Sequence, residues 1–217
     1  MPAKQEVYNA LLQDIIRGEY APMEVLNEKT LMEKYSVSRA ALREALVDLR
    51  NENVLRSLPR YGYEIMLLTE EDVRSVMQYR IILETGNLPL VYKKARKEEL
   101  EALLEKVQPA HYNKSEDVWS DWRMNTDFHM QLHNLGGNPY VNEQIRRCLS
   151  IQNRAFAQSC WDIWHNVRIR FNEERHLKLL VCLLEGDLIK AQMVLREDLC
   201  HFSDCFEIQQ DEIGGTA

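Results

Sequence analysis

Residues 15–49 read IIRGEYAPMEVLNEKTLMEKYSVSRAALREALVDL, and this stretch decides the fold of the N-terminal part of the chain. Asn27 is a residue type that caps helices, and we expect it to begin a helix over Glu28–Lys34. After a short break, Ser38 has the same role before a helix that extends from Arg39 to about Asn51. Two short helices joined by a tight turn predict a helix-turn-helix.

The sequence on either side of this stretch predicts a further helix and a β-hairpin. Apolar residues recur at helical spacing between Gln5 and Ile16, which indicates an amphipathic helix. Two short alternating segments, Val54–Leu58 and Tyr63–Met66, flank the turn Pro59–Gly62. The sequence therefore predicts a winged helix-turn-helix of three helices and a β-hairpin over residues 1–66.

The remainder of the chain predicts an all-α bundle, so the fold class is mainly α. We expect residues 67–68 to be a linker, residues 69–209 to form the helical domain and residues 210–217 to be a loose tail. Breaks at Gly136–Pro139 and Gly186–Asp187 separate the later helices. The predicted helices lie near residues 70–95, 97–107, 115–135, 139–163, 167–185 and 187–206.

Composition limits the class of protein more than its activity. The chain has 217 residues, 28% of them charged, and a net charge of −7, with few Gly and Pro residues, which excludes disordered and collagen-like proteins. The N-terminus does not have the pattern of a signal peptide, and no apolar stretch reaches the length of a membrane span. Five cysteines without a paired framework favour a reducing compartment. We therefore expect a cytoplasmic protein with no membrane segment.

The net charge says little about nucleic-acid binding, because residues 1–66 are nearly neutral, with 9 Lys or Arg and 10 Asp or Glu. Arg39 and Arg43 share one face of the predicted second helix of the helix-turn-helix, at spacing i, i+4. Two guanidinium groups there could reach guanine edges or phosphates, with Lys29 and Arg60 extending the basic surface. The alternative is a solvated helix whose arginines pair with glutamates.

The stretch at residues 15–49 resembles the N-terminal winged helix of GntR-type bacterial transcription regulators. Gly18, Pro22 and Leu26 fit the family pattern, as does the segment VSRAALREALVDL, whereas Met23 and Met32 replace the usual Gly and Ala. The resemblance implies binding of a homodimer to double-stranded operator DNA. It also implies a set of DNA-contacting positions, which are Lys29, Ser38, Arg39, Ala40 and Arg43, with Tyr61 and Gly62 at the tip of the wing.

A predicted helix in the C-terminal part carries Asn125, His129 and His133 on one face, at spacing i, i+4, i+8. Such spacing allows two imidazoles to converge on one metal. His176 and Asp198, on two later helices, are further candidate ligands. Histidines on a helix are also found as ordinary surface or core residues, so spacing alone leaves both interpretations open.

The segments TEEDVRSVMQYRIILE, FHMQLHNLGGNPYV and EERHLKLLVCLLEGDLIKAQMVLREDL resemble the FCD ligand-binding domain of FadR-like GntR regulators. The resemblance places Asn125, His129, His176 and Asp198 at metal-ligand positions, with Asn and Asp standing where metal-binding members have Asp and His. Two nitrogens and two oxygens suit Zn²⁺, Mn²⁺ or Ni²⁺.

The same resemblance implies that residues 69–209 are the effector-binding and dimerisation domain, with a small organic acid as the effector of DNA binding and the metal as a possible aid. Arg80, Arg123 and Arg154 are the candidate effector-binding residues, although Arg80 could instead form a salt bridge with Glu84. We expect a transcription regulator rather than an enzyme. The alternative is a metal-dependent hydrolase that uses the cluster of His129, His176 and Asp198.

Overall fold

A computed structural model describes residues 3–108, 118–160 and 173–213. The chain divides into two compact units. The first contains the residues up to Glu70 together with the last part of the seventh helix, from Gln152, and the second contains Glu71–Ile151 and the last two helices. The elements in chain order are α1 Ala3–Ile16, β1 Val25–Leu26, α2 Glu28–Tyr35, α3 Arg39–Asn51, β2 Leu55–Leu58, β3 Gly62–Ile65, α4 Glu70–Lys94, α5 Lys97–Lys106, α6 Val118–Asn134, α7 Pro139–Cys160, α8 Glu173–Leu184 and α9 Leu188–Ile213.

The first unit is a winged helix-turn-helix, which confirms the predicted fold class. Asn27 and Ser38 cap α2 and α3 as expected, because their side chains accept hydrogen bonds from backbone N–H groups of the first turns. Helix α3 packs against both α1 and α2. Their apolar faces form one buried core, whose members include Leu11, Leu31, Leu42, Leu46 and Leu49.

The wing contains one strand that the sequence did not predict. Strands β2 and β3 pair antiparallel, with Arg56 opposite Glu64, and the two-residue strand β1 pairs with the other edge of β3. The order in the sheet is therefore β1-β3-β2. Strand β1 lies between the first two predicted helices, where no strand was expected, and two residues are too short to show the alternation by which strands are recognised.

The second unit is helical among its described residues, as predicted. Helix α8 packs against α9 and α5, and α5 packs against α6. The helix boundaries differ from the predicted ones by a few residues, and residues 115–117, 161–163 and 167–172 of the predicted helices lie outside the described residues. Helix α9 extends to Ile213, past the predicted end at residue 206, since no Gly or Pro interrupts the chain before Gly214. Of the predicted loose tail, residues 210–213 are thus helical and residues 214–217 lie outside the description.

The last part of α7 is bonded to the winged helix. Arg154 Nη1 donates to the Asn53 carbonyl at 3.1 Å, and Gln158 Nε2 donates to the Met66 carbonyl at 2.9 Å. Gln158 Oε1 in turn accepts from the Leu68 N–H at 2.9 Å. The bonded residues are about 90 to 100 positions apart in sequence. The prediction, which ended the first domain at residues 67–68, therefore did not assign the last part of α7 to it. No helix among the described residues is long and apolar enough to cross a membrane.

Candidate functional site

The start of α3 presents the predicted DNA-contacting side chains to solvent. Arg39, Ala40 and Arg43 are exposed, whereas Leu42 and Leu46 on the opposite face are buried in the core. Ser38 Oγ accepts a hydrogen bond from the Ala41 N–H at 3.3 Å and so ends the turn that precedes the helix. Burial of one face therefore determines which face of α3 is available to a partner.

The Arg43 side chain is oriented by a carboxylate from α2. Its Nε donates to both carboxylate oxygens of Glu28, at distances of 3.0 and 3.1 Å. This bond uses Nε only, so it leaves the two terminal nitrogens as donors for another acceptor. No role for Glu28 was predicted from the sequence, because the pairing joins two helices. Lys29, the next residue, is exposed at the start of α2.

The wing tip projects an aromatic and a basic side chain. Tyr61 is 75% exposed, and Arg60 is exposed in the left-handed backbone region at φ 74°. Gly62 has φ 130°, and a Cβ atom built on it would collide with the Leu26 carbonyl oxygen of β1. Gly62, expected as a wing-tip contact, is thus required by the packing of β1 against β3.

In the second unit three predicted metal ligands converge. His129 Nε2 and His176 Nε2 each lie 3.4 Å from Asp198 Oδ2, and the three ligand atoms lie within 4.8 Å of one another. Both histidines are almost fully buried. Phe128 stacks on the His176 ring, with ring centroids 3.8 Å apart. Helices α6, α8 and α9 therefore bring together residues that are far apart in sequence.

Beside this cluster lies a buried carboxylate, Glu84 of α4. Arg80 Nε donates to Glu84 Oε1 at 2.6 Å, so the salt bridge considered from the sequence is formed. The other oxygen, Oε2, lies 2.8 Å from His129 Nδ1 and 3.1 Å from His133 Nε2. When His129 is neutral and donates Nδ1–H to this carboxylate, its lone pair is on Nε2 and directed toward Asp198, as in histidines that bind metals.

His133 and Asn125 have different surroundings. His133 faces Glu84 and, through Nδ1, the Asn87 side-chain amide at 3.1 Å. With Glu84 and His129 it forms a second group whose ligand atoms lie within 4.8 Å of one another, separate from the group of His129, His176 and Asp198. Asn125 is buried on α6, one helical turn before His129. Its position on that face is the one expected for a fourth ligand.

Electrostatics favour a cation between these groups. Burial alone would raise the pKa of Glu84, but Arg80 and His129 outweigh it and hold the pKa well below its usual range. Burial likewise opposes ionisation of Asp198, yet the two histidines lower its pKa. Burial lowers the pKa of His176, whereas for His129 the effect of burial is overcome by Glu84 and the pKa is raised. The ionised carboxylates of Glu84 and Asp198 thus lie on either side of the His129 ring, and Asp198 also faces a neutral His176.

The residues present fit a divalent metal. Both ring nitrogens of His176 are buried and make no hydrogen bond to any described residue, which is costly unless another partner binds them. Two imidazole nitrogens and a carboxylate oxygen form a donor set suited to Zn²⁺, Mn²⁺ or Ni²⁺. A cation of this kind would supply the missing partner for His176.

The three arginines predicted to bind an effector lie in different places. Arg80 belongs to the buried cluster through Glu84. Arg123 is exposed on α6. Arg154 belongs to the first unit, where it donates to the Asn53 carbonyl and where burial lowers its pKa to about 10.

Comparison with known proteins gives two family matches. Residues 3–65 match the model of the bacterial regulatory proteins of the gntR family, and residues 75–200 match that of the FCD domain. YdhC, an uncharacterized HTH-type transcriptional regulator of Bacillus subtilis (strain 168), is 34% identical over 157 residues, which are 68% of this chain and 70% of YdhC. The Nta operon transcriptional regulator of Aminobacter aminovorans is 27% identical over 194 residues, covering 87% of this chain and 88% of its own.

Solved structures support the same fold. McbR/YncC of E. coli superposes with a TM-score of 0.80 and 21% identity, covering 97% of this chain and 99% of its own. A transcriptional regulator of the GntR family from Pseudomonas syringae pv. tomato str. DC3000 gives a TM-score of 0.56 at 21% identity, covering 99% and 89% of the two chains. At these identities the likeness concerns the fold alone.

Proposed function

Because this chain belongs to the gntR family of bacterial regulatory proteins and carries an FCD domain, we propose that it binds a palindromic operator as a homodimer under the control of a small organic acid. It is a transcription regulator and not an enzyme, since the families and relatives that it matches are regulators. The hydrolase interpretation of the histidine cluster is therefore set aside. A cytoplasmic location, where bacterial operator DNA is found, is part of the proposal.

The observation that carries operator binding is the exposed basic start of α3. Arg39 and Arg43 stand on the solvent face of a helix whose other face is buried. The first turns of such a helix enter the major groove, where arginine recognises guanine. Lys29 and the wing residues Arg60 and Tyr61 supply further exposed groups for phosphates and the adjacent groove.

Selection from a random pool of DNA duplexes tests this proposal. We expect a palindromic consensus to emerge, bound at least about 1,000-fold more tightly than scrambled DNA of the same composition. Fluorescence anisotropy at several salt concentrations then measures affinity, which should fall steeply as salt rises. The double variant Arg39→Ala/Arg43→Ala serves as the matched control and should lose the preference. Recovery of no consensus would contradict operator binding.

We also propose that His129, His176 and Asp198 hold a divalent metal. The convergence of their ligand atoms within 4.8 Å supports this, as do the unsatisfied nitrogens of His176. Asn125 supplies a further oxygen, or water or the effector takes that position. A metal bound there is a Lewis acid that attracts a carboxylate.

Elemental analysis of the purified chain tests the metal site. We expect about one equivalent of metal per chain in the wild type, as one closed set of ligands implies, and none in His129→Ala or His176→Ala. Asp127→Ala, which removes an exposed carboxylate from the same helix, is the matched control. Equal trace amounts of metal in all four proteins would show that the polar cluster does not hold a metal.

The effector we propose is a small carboxylate that binds beside this cluster. Arg80 is retained as the candidate for electrostatic attraction, because it belongs to the cluster. An effector changes operator affinity only if it binds one arrangement of the protein more tightly than another. Calorimetry tests the chemical class of the effector, with small carboxylic acids and their amides titrated into metal-loaded and chelator-treated protein. We expect acids alone to bind and to alter operator affinity, and indifference to every acid would refute the proposal.

A further inference from the structure

Helix α4 contains a proline that deprives one backbone carbonyl of its helical donor. Pro89 lies inside α4, and proline has no backbone N–H. In a regular α-helix the N–H of that residue would donate to the carbonyl of Thr85, four residues earlier. The Thr85 carbonyl therefore needs a donor from another part of the chain.

A side chain of α9 supplies that donor. Gln192 Nε2 donates to the Thr85 carbonyl at 3.0 Å, although the two residues are 107 positions apart in sequence. Gln192 is half-buried. Its hydrogen bond joins α9 to α4 at the place where Pro89 interrupts the hydrogen bonding of α4.

Two further features weaken α4 at the same place. Thr85 Oγ1 donates to the Ile81 carbonyl, one turn earlier, and a threonine bonded in this way often bends a helix. Gly86 is the next residue, and glycine in a helix interior is unfavourable compared with alanine. The backbone of α4 over residues 85–89 thus depends on its contact with α9 more than a regular helix would.

This weak segment adjoins the buried cluster. Glu84 immediately precedes Thr85, and its Oε2 lies 2.8 Å from His129 Nδ1. On α9, Asp198 follows Gln192 by six residues, which is about 9 Å along the helix. Asp198 Oδ2 lies 3.4 Å from His129 Nε2. The His129 ring thus lies between a carboxylate of α4 and a carboxylate of α9, and the bond from Gln192 fixes the same two helices to each other.

We infer that Gln192 is a positioning residue for the histidine cluster. By bonding the Thr85 carbonyl it holds α4 beside the proline, and so keeps Glu84 on the Nδ1 side of His129. Loss of a group that bonds the far nitrogen of a metal-binding histidine lowers metal affinity by about 10- to 100-fold. Gln192 acts one step further out, through Glu84, so its effect should be smaller. The inference rests on the proposed metal site and adds a residue outside the set of ligands.

Release of Zn²⁺ from the loaded full chain to a chromogenic chelator measures this role. Gln192→Leu keeps the size of the side chain but removes the donor, and it should speed Zn²⁺ loss about 3- to 10-fold. Tyr92→Phe is the matched control and should leave the rate unchanged. Tyr92 Oη donates to the Gly186 carbonyl at 3.4 Å, so it joins α4 to the turn before α9 on the other side of Pro89. Equal rates for Gln192→Leu and the wild type would overturn the inference.

Pro89→Ala provides a rescue that separates positioning from packing. Alanine restores a backbone N–H that can donate to the Thr85 carbonyl from within α4, so the donor from α9 is no longer needed. In this background Gln192→Leu should change the rate of Zn²⁺ loss by less than about 2-fold, which is below the effect of one hydrogen bond. A role of Gln192 in packing alone would give the same acceleration in both backgrounds, and that result would refute the inference.

Hydrogen exchange of the metal-free full chain distinguishes failure of this inference from failure of the metal site. Backbone amides between residues 81 and 90 should exchange about 3- to 10-fold faster in Gln192→Leu, and at the wild-type rate in Pro89→Ala/Gln192→Leu. If exchange responds in this way but the wild type retains no Zn²⁺, the metal proposal is wrong and Gln192 still holds the segment that carries Glu84. If exchange does not respond, Gln192 does not hold α4, and the inference fails whether or not a metal binds.

Discussion

Arg43 and His129, the side chains at the centre of the two proposed sites, are each oriented by a carboxylate from another helix. Glu28 of α2 accepts hydrogen bonds from Arg43 Nε. Glu84 of α4 forms a hydrogen bond with His129 Nδ1. In both cases the groups that would meet the ligand are left available. Pre-orientation of this kind lowers the conformational entropy lost on binding.

At the residue scale, Arg39 and Arg43 should dominate sequence discrimination. Alanine at either position should weaken the free energy of binding to the selected operator by about 1–3 kcal/mol and relax the preference at one base pair per half-site. Lys29→Ala should instead weaken binding to all sequences alike and reduce the salt slope by about 1, as a phosphate contact does. Anisotropy titrations on matched and mutated operators separate these outcomes. A sequence-dependent loss for Lys29→Ala would show that its role is misassigned.

Glu28→Gln tests whether the Arg43 orientation matters for specificity. The substitution removes a negative charge near the DNA and weakens the hydrogen bond to Arg43 Nε. Affinity for random DNA should therefore rise. Discrimination against a mutated operator should fall by roughly 3- to 10-fold, which corresponds to a change of about 1 kcal/mol. Glu33→Gln removes the same charge from the exposed surface of α2 and should leave discrimination unchanged. Equal behaviour of the two variants would exclude a positioning role.

Asn125→Asp tests the fourth ligand position. A carboxylate in place of the amide should slow loss of metal to a chelator, because the site gains a charged oxygen donor. Asn125→Ala is the paired variant, and it should speed metal loss or leave it unchanged if water takes the position. Release rates measured with a chromogenic chelator decide this. If Asp and Ala behave alike, Asn125 does not face the ion.

At the element scale, periodicity and capping residues predicted the helices because those signals are local. The strand β1 and the pairing of Glu84 with His129 were not predictable in this way. Strand β1 exists only through backbone bonds to β3, nearly 40 residues later, and the Glu84 contact spans 45 residues. The pattern of one helix shows which face is buried but not which residue of another helix meets it.

Gly62 connects the wing to β1, and its substitution tests that packing. Alanine there combines a strained backbone angle with a collision against the Leu26 carbonyl. We expect a loss of about 2 kcal/mol or more in the free energy of unfolding, measured by urea denaturation. Ser57→Ala, at an exposed position of β2, is the control and should change stability by less than about 0.5 kcal/mol. Full stability of Gly62→Ala would contradict the role of β1.

At the scale of the whole molecule, a two-fold dimer predicts a dependence on operator spacing. Each copy carries one winged helix-turn-helix, so both halves of a palindrome are bound only if they face the protein together. Insertion of 5 base pairs between the half-sites rotates one of them by about half a turn, since B-DNA has roughly 10–10.5 base pairs per turn. Affinity should then fall to that of a single half-site. The double variant Arg39→Ala/Arg43→Ala, which should lose operator recognition, should bind the original and the expanded operator equally. If the wild type is equally indifferent, the two half-sites are read independently and the dimer does not bind them as a unit.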